Sequence, residues 1–169
     1  MIRIVIAEDQ ALLLEAMGNL LNLEEDIEVV GQAGNGEEAL TLVQNLKPDV
    51  CIMDIEMPEK TGLEAAEELQ HFNCKVIILT TFARPGYYQR AMKADVRGYL
   101  LKDNPSEELA SSIRSIMDGK RIYSDELMDE DSAEENINHL AKESSQSNKR
   151  GLVKNYLSSI MDKMKLPTG

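Results

Sequence analysis

Five short apolar runs, separated by longer amphipathic stretches, constrain the fold of this 169-residue chain more than any other feature. The runs are rich in Ile, Val and Leu. They largely lack the alternation of apolar and polar residues that is typical of a strand with one solvent-exposed face. They are therefore typical of strands buried on both sides of a parallel sheet. The five predicted strands are Ile2–Ala7, Ile27–Ala33, Val50–Asp54, Lys75–Thr80 and Gly98–Leu101.

The stretches between the runs carry apolar residues at helical spacing, and Leu13, Met17 and Leu20 form one such stripe. Pro48 follows the second stretch and Gly119 follows the fifth, both as stop signals for a helix. Strand and helix therefore alternate, which predicts an α/β fold with a (βα)5 doubly wound parallel sheet. The predicted helices are Ala11–Leu23, Glu37–Leu46, Gly62–Phe72, Arg84–Lys93 and Ser106–Asp118.

Charge divides the chain into two unequal parts. Residues 1–129 hold 24 acidic and 12 basic side chains, whereas the remaining 40 residues hold six of each. An acidic main part repels nucleic acid, and a small basic end at 140–169 could approach it.

Neither a membrane span nor a disulfide is predicted. The N-terminus lacks a signal-peptide pattern, and no apolar run approaches the ~20 residues that a spanning helix needs. Cys51 and Cys74 do not have zinc-site spacing, so we expect reduced thiols that serve packing. These features predict a cytoplasmic protein without membrane insertion.

Polar residues stand at the carboxyl ends of four predicted strands: Glu8 and Asp9, then Asp54, then Thr80, then Lys102. Ligands of open α/β sheets bind at these ends, near the point where the strand order reverses. Clustered carboxylates repel one another unless a cation lies among them, and Mg²⁺ suits two or three carboxylates. A carboxylate can also attack phosphorus, while an ammonium and a hydroxyl stabilise the phosphoryl oxygens. The pattern predicts magnesium-assisted phosphoryl transfer to an aspartate.

Each of these signals has an ordinary structural explanation when it stands alone. A Glu-Asp pair at a strand end is usually a solvated turn, a Thr pair usually belongs to strand or cap chemistry, and a Lys-Asp pair is usually surface. Their joint occurrence at four of five strands favours a functional site.

The segments 5-VIAEDQ-10, 50-VCIMDIEMPEKTG-62, 76-VIILTTFARPG-86 and 98-GYLLKD-103 resemble the receiver domain of two-component response regulators, which has a flavodoxin-like fold. The resemblance covers about residues 1–123, in order and with ordinary spacing. Lys-Asp at 102–103, in place of Lys-Pro, is similar to the nitrate-regulator (NarL) branch of the family.

This resemblance implies a role for each residue of the predicted site. Asp54 is the implied phospho-acceptor, and the implied Mg²⁺ ligands are Glu8, Asp9, Asp54 and the backbone carbonyl of Glu56. Thr80 is implied as the switch hydroxyl, Lys102 as the cation that contacts phosphate, and Tyr99 as the aromatic residue that turns inward when Thr80 shifts. The implied phosphoryl donor is a sensor histidine kinase, and we expect phosphorylation to promote a homodimer.

One position departs from the family pattern. Family members often have glycine before the fifth strand, as a left-handed helix cap, where this chain has Asp95. Because Asp tolerates the left-handed region moderately well, we expect a small stability cost and no loss of chemistry.

The C-terminal part is shorter than the family implies. We expect a receiver at 1–123, an acidic linker at 124–135 and an abbreviated or degenerate helix-turn-helix segment at 136–169, which is helical and short. In the NarL branch this output is DNA binding and transcription regulation, and the candidate DNA contacts here are Lys149, Arg150 and Lys154. The scaffold helix of that domain has no counterpart in the sequence, so we expect poor DNA binding.

Two other functions remain open at the level of sequence. The first is an aspartate-nucleophile phosphatase of the dehalogenase type, in which Glu56 would stand at the spacing of the general acid. No cap insertion is present, so we expect a regulator and not an enzyme. The second is a receiver that acts through protein contacts alone, with a helix-turn-helix segment that does not function.

Overall fold

The computed structural model describes residues 1–81, 84–102, 106–125 and 127. The strands form one six-stranded parallel sheet with the order β2-β1-β3-β4-β5-β6. The predicted doubly wound α/β fold is confirmed, and the strand order reverses between β1 and β3. The strands are β1 Ile2–Ala7, β2 Ile27–Ala33, β3 Val50–Met53, β4 Lys75–Thr80, β5 Gly98–Leu101 and β6 Ile122–Tyr123.

Five helices connect the strands and cover both faces of the sheet. They are α1 Ala11–Leu21, α2 Gly36–Leu46, α3 Gly62–Leu69, α4 Tyr87–Lys93 and α5 Ser106–Met117. The apolar stripes of α1 and α5 pack on one face, and those of α2, α3 and α4 pack on the other. The sheet therefore lies between two aliphatic layers, with its carboxyl edge left free for polar residues.

Side-chain caps set the starts of two helices beside the carboxyl edge. Asn35 accepts a hydrogen bond from the Glu38 amide at 2.8 Å, and Thr61 accepts one from the Glu64 amide at 3.2 Å. The prediction placed the start of α4 three residues too early. Gly86 has a φ of 81°, a left-handed conformation that cannot lie inside a helix, so α4 begins at Tyr87.

A short sixth strand was not predicted. β6 comes after α5 and pairs with β5, where Ile122 lies opposite Gly98 and Tyr123 opposite Tyr99. Two residues are too few to give a periodic signal. Leu127, within the predicted acidic linker, is also 1% exposed and packs into the core on the α2–α4 face.

Asp95 adopts the left-handed conformation predicted for it, with a φ of 58°. Its carboxylate contacts the guanidinium groups of Arg97, at 3.3 Å, and of Arg121. The hydrogen bond from Arg121 and the nearby positive charges lower the pKa of Asp95. These contacts with arginine stabilise an aspartate at a left-handed position where the family usually has glycine.

The predicted helix-turn-helix segment at 136–169, with Lys149, Arg150 and Lys154, lies outside the described residues. Among the helices of the described part, none is both long enough and apolar enough to cross a membrane.

Candidate functional site

Backbone hydrogen bonds at the ends of the strands place the polar residues of the site. The Glu8 amide donates to the Ala33 carbonyl at 3.0 Å, and the Asp54 amide donates to the Ala7 carbonyl at 3.1 Å. The Lys102 amide donates to the Thr80 carbonyl at 2.9 Å. Each residue is thus the first beyond its own strand, and its backbone amide is still hydrogen-bonded to the neighbouring strand. This bond fixes the position of its Cα atom.

Three carboxylates meet at this edge. Glu8, Asp9 and Asp54 each offer an oxygen within 4.8 Å of the other two. A single ion with ligand distances of about 2.1 Å can span such a cluster after small side-chain adjustments. Asp9 is exposed, while Glu8 and Asp54 are buried, so an ion would remain accessible to water from one side. The donor set is all oxygen, which fits Mg²⁺.

Lys102 lies between the two buried carboxylates. Its Nζ donates to Glu8 Oε2 at 2.6 Å and to Asp54 Oδ2 at 2.8 Å, and the residue is 8% exposed. A lysine held this way is a positive charge within reach of any group attached to Asp54.

Burial shifts the pKa values of this cluster. It raises the pKa of Glu8 to about 7, although the nearby Lys102 ammonium opposes the shift. For Lys102, burial acts to lower the pKa, but the attraction of Asp54 and Glu8 outweighs it, and the pKa lies above its ordinary value. The lysine therefore stays charged at neutral pH, and a further cation would favour the charged form of Glu8.

The loop after Asp54 packs tightly against the backbone and side chain of this residue. The Ile55 amide donates to Asp54 Oδ1 at 2.7 Å, and the Gly62 amide donates to the Ile55 carbonyl at 2.9 Å. A Cβ at Gly62 would lie 1.9 Å from the carbonyl oxygen of Asp54. On the other side of the loop, the Gly36 amide donates to the Lys60 carbonyl at 3.0 Å. The position of Asp54 thus depends on these backbone contacts.

The Glu56 side chain points to α4. Its Oε1 accepts a hydrogen bond from the Tyr87 hydroxyl at 2.9 Å and lies 3.2 Å from Arg84 Nε. The general-acid role that a phosphatase would need from Glu56 is therefore not favoured by the position of its carboxylate. The predicted use of Glu56 as a metal ligand concerns its backbone carbonyl, which this contact leaves available.

Thr80 and Tyr99, the predicted switch pair, are both buried in strands of the sheet. Thr80 is the last residue of β4 and is 2% exposed. Tyr99 is fully buried, so the aromatic ring already lies inward. Its ring centroid is 6.4 Å from those of both Tyr88 and Tyr123. Sequence reasoning missed these two neighbours, because nothing in the pattern marks an aromatic contact between α4, β5 and β6.

A parallel sheet with three carboxylates, a lysine and a threonine at its carboxyl edge defines a receiver domain, and the chain belongs to the response regulators. The profile of the response regulator receiver domain matches residues 4–114. The family is one of regulators and not of enzymes, as predicted, and the carboxylate cluster is the acidic triad typical of its magnesium site.

Particular relatives place the chain in the NarL/LuxR branch. The chain is 57% identical to the transcriptional regulatory protein DesR of Bacillus subtilis, over 98% of this chain and 92% of that protein. It is 51% identical to YvfU of the same organism, an uncharacterized transcriptional regulatory protein, over 97% and 91% of the two chains. A crystal structure of a LuxR-family DNA-binding response regulator from Staphylococcus aureus has 44% identity and a TM-score of 0.66, over 69% of this chain and 99% of that one.

Proposed function

We propose that this protein is a phosphorylation-dependent switch in which Asp54 accepts a phosphoryl group from a sensor histidine kinase in the cytoplasm. The observation that carries the proposal is the Lys102 ammonium between Asp54 and Glu8, at 2.8 and 2.6 Å, beside the exposed Asp9. A buried nucleophilic carboxylate, a fixed cation and a set of oxygen ligands for Mg²⁺ support phosphoryl transfer.

The reaction forms one bond and breaks one. An oxygen of the Asp54 carboxylate attacks the phosphorus of a phosphohistidine, the new P–O bond forms as the P–N bond breaks, and the imidazole leaves. Glu8, Asp9, Asp54 and the Glu56 carbonyl would hold Mg²⁺, and the ion would supply positive charge for the phosphoryl oxygens when bound. Lys102 offers a second positive charge from within the protein, and the Ile55 amide orients Asp54 Oδ1.

Mg²⁺ should stabilise the receiver and be required for its phosphorylation. At ten times its Kd the ion adds about 1.4 kcal/mol to the free energy of unfolding, which raises Tm by roughly 5 °C. Acetyl phosphate should label the protein in Mg²⁺ and fail to do so in EDTA. Asp9→Asn should weaken both effects, because it removes the negative charge of the exposed member of the triad.

Thermal melts and intact-mass measurements test this metal dependence. Glu15→Gln is the control, since Glu15 is an exposed acid of α1 outside the triad. A Tm that does not change in tens of millimolar Mg²⁺ would count against the metal site.

Phosphorylation should also convert the protein from monomer to dimer. We expect the Thr80 hydroxyl to follow a phosphoryl oxygen and Tyr99 to follow Thr80, which would alter the surface of α4 and β5, or of α1 and α5. Sedimentation velocity should show a twofold rise in mass with acetyl phosphate and Mg²⁺. One unchanged species at full phosphorylation would refute the prediction.

The output of the switch is transcription regulation by DNA binding in the proteins that this chain resembles, and we propose that this output is weakened here. The relatives DesR and YvfU are described as transcriptional regulatory proteins. The alignment with DesR extends over 184 positions, more than the 169 residues of this chain, so it includes positions that this chain lacks. That comparison supports a deletion relative to DesR, and we assign it to the C-terminal segment because the scaffold helix has no counterpart there.

Binding to a DNA duplex should be weak and non-specific even after phosphorylation. Lys149, Arg150 and Lys154 can contact phosphates, but sequence readout needs a recognition helix held by a scaffold. Any binding should be lost by about 200 mM salt. Fluorescence anisotropy with several duplexes measures this, and a footprint on one site at physiological salt, strengthened by phosphorylation, would show that the segment reads DNA. Without such a footprint, action through protein contacts becomes the better account.

A further inference from the structure

The sheet does not end at β5, because β6 covers the edge of that strand. The Ile122 amide donates to the Arg97 carbonyl at 3.0 Å, and the Ser124 amide donates to the Tyr99 carbonyl at 2.8 Å. Leu127, three residues further on, is buried in the core that contains Tyr99. Two residues that precede the C-terminal segment, Ser124 and Leu127, are therefore attached to the receiver, one of them directly to the backbone of Tyr99.

The pairing of the strands places three side chains in a row across one face of the sheet. Thr80 pairs with Leu101 and Ile78 with Tyr99, so Thr80 and Tyr99 share a face, two residues apart in register. Tyr123 pairs with Tyr99 on the next strand. The rings of Tyr99 and Tyr123 meet edge to face, with centroids 6.4 Å apart and planes at 73°. Thr80, Tyr99 and Tyr123 thus occupy one face of three neighbouring strands, from the carboxyl end of β4 to β6.

We propose that β6 transmits the state of Asp54 to the C-terminal segment, and that phosphorylation loosens the pairing of β6 with β5. This inference rests on the proposed function. When Thr80 moves toward a phosphoryl oxygen, it vacates volume on the face that it shares with Tyr99. The Tyr99 ring then shifts toward β4 and away from Tyr123, and β6 loses part of the packing that holds it.

β6 is suited to this role because it is short, and aromatic packing adds to the few backbone hydrogen bonds that pair it with β5. The strand has two residues and is bonded to β5 along one side. Tyr123 is half-buried, and its ring contacts Tyr88, with centroids 5.9 Å apart, as well as Tyr99. Its hydroxyl donates to the Val96 carbonyl. Loss of the Tyr99 contact would therefore weaken the packing of β6, while the Arg121–Asp95 ion pair and buried Leu127 still anchor the residues on either side of it.

Hydrogen exchange of the full chain tests this inference, with acetyl phosphate and Mg²⁺ as the probe. The amides of Ile122 and Ser124 should exchange roughly three- to tenfold faster once Asp54 is phosphorylated, as expected for the loss of one aromatic contact. The amides of β2, at the opposite edge of the sheet, should not change and serve as the internal reference. Intact mass, measured on the same samples, reports how much of the protein is phosphorylated.

Two variants of Tyr123 show whether the ring itself couples phosphorylation to the pairing of β6, or whether any weakening of β6 has the same effect. Tyr123→Leu removes the ring, so the Ile122 and Ser124 amides should exchange fast from the start and show no further response to phosphorylation. Tyr123→Phe keeps the ring and removes only the hydrogen bond to Val96, so the response should persist. Both variants should still accept the phosphoryl group, because Tyr123 does not contact the site.

The outcomes of these experiments separate the proposed coupling of β6 from the proposed phosphorylation of Asp54. A phosphorylated protein whose Ile122 and Ser124 amides exchange at an unchanged or slower rate would overturn the coupling and leave the proposed function intact. A wild-type response that survives in Tyr123→Leu would also overturn it. Failure of Asp54 to accept a phosphoryl group would overturn the proposed function and the coupling with it.

Discussion

Asp54→Ala should abolish stable phosphorylation by a histidine kinase or by acetyl phosphate, while the wild-type protein takes up one phosphoryl group per chain. Asp54 combines burial, a hydrogen bond from the Ile55 amide and direct contact with Lys102. Glu8 also contacts Lys102, but it lies deeper in the site at 2% exposure. Asp9 is exposed, and the Lys102 ammonium pairs with the other two carboxylates.

The Asp54→Ala variant should remain folded, because Lys102 keeps its ion pair with Glu8 after the Asp54 carboxylate is removed. Removing one of two neighbouring carboxylates also relieves repulsion within the cluster. Asp118→Ala, at an exposed position after α5, is the matched control and should be labelled like the wild type. Intact mass and peptide mapping of the labelled proteins give the result, and labelling that persists in Asp54→Ala would remove Asp54 from the acceptor role.

The sheet and the convergence of its polar residues could be predicted from the sequence because both follow from strong, local signals. Strands buried on both faces have continuous apolar runs, and parallel strands bring their carboxyl ends to one edge. Glu8 and Lys102 each stand one residue beyond such a run, and Asp54 is the last residue of the predicted third run. Their proximity therefore follows from topology, before any side-chain detail is known.

Other features depend on contacts between elements that are far apart in the chain. The contact of Glu56 with Tyr87 joins positions 31 residues apart, and no local pattern encodes it. The placement of Tyr123 beside Tyr99 depends on a strand of only two residues. The late start of α4 depends on the left-handed conformation of Gly86, which the predicted helix Arg84–Lys93 did not take into account.

Gly62→Ala, where the loop after Asp54 meets α3, should lower both the free energy of unfolding and the rate of phosphorylation. A Cβ at this position would lie 1.9 Å from the Asp54 carbonyl oxygen and 2.9 Å from the Asp54 carbonyl carbon, so the backbone of the acceptor itself must move. We expect a loss of about 3 kcal/mol in the free energy of unfolding and a fall in Tm of roughly 10 °C. Displacing the acceptor by even ~1 Å should slow phosphorylation about 100-fold.

Gly34→Ala is the matched control for this prediction, because a Cβ there would meet only the end of the Glu38 side chain, at 3.6 Å. It should change the free energy of unfolding by no more than about 0.5 kcal/mol and leave phosphorylation intact. Thermal melts give the stability of both variants. Rates of labelling by acetyl phosphate, measured well below the Tm of Gly62→Ala, separate a misplaced acceptor from an unfolded one. If Gly62→Ala were labelled at the wild-type rate under those conditions, the close approach of Gly62 to Asp54 would not control the position of the acceptor.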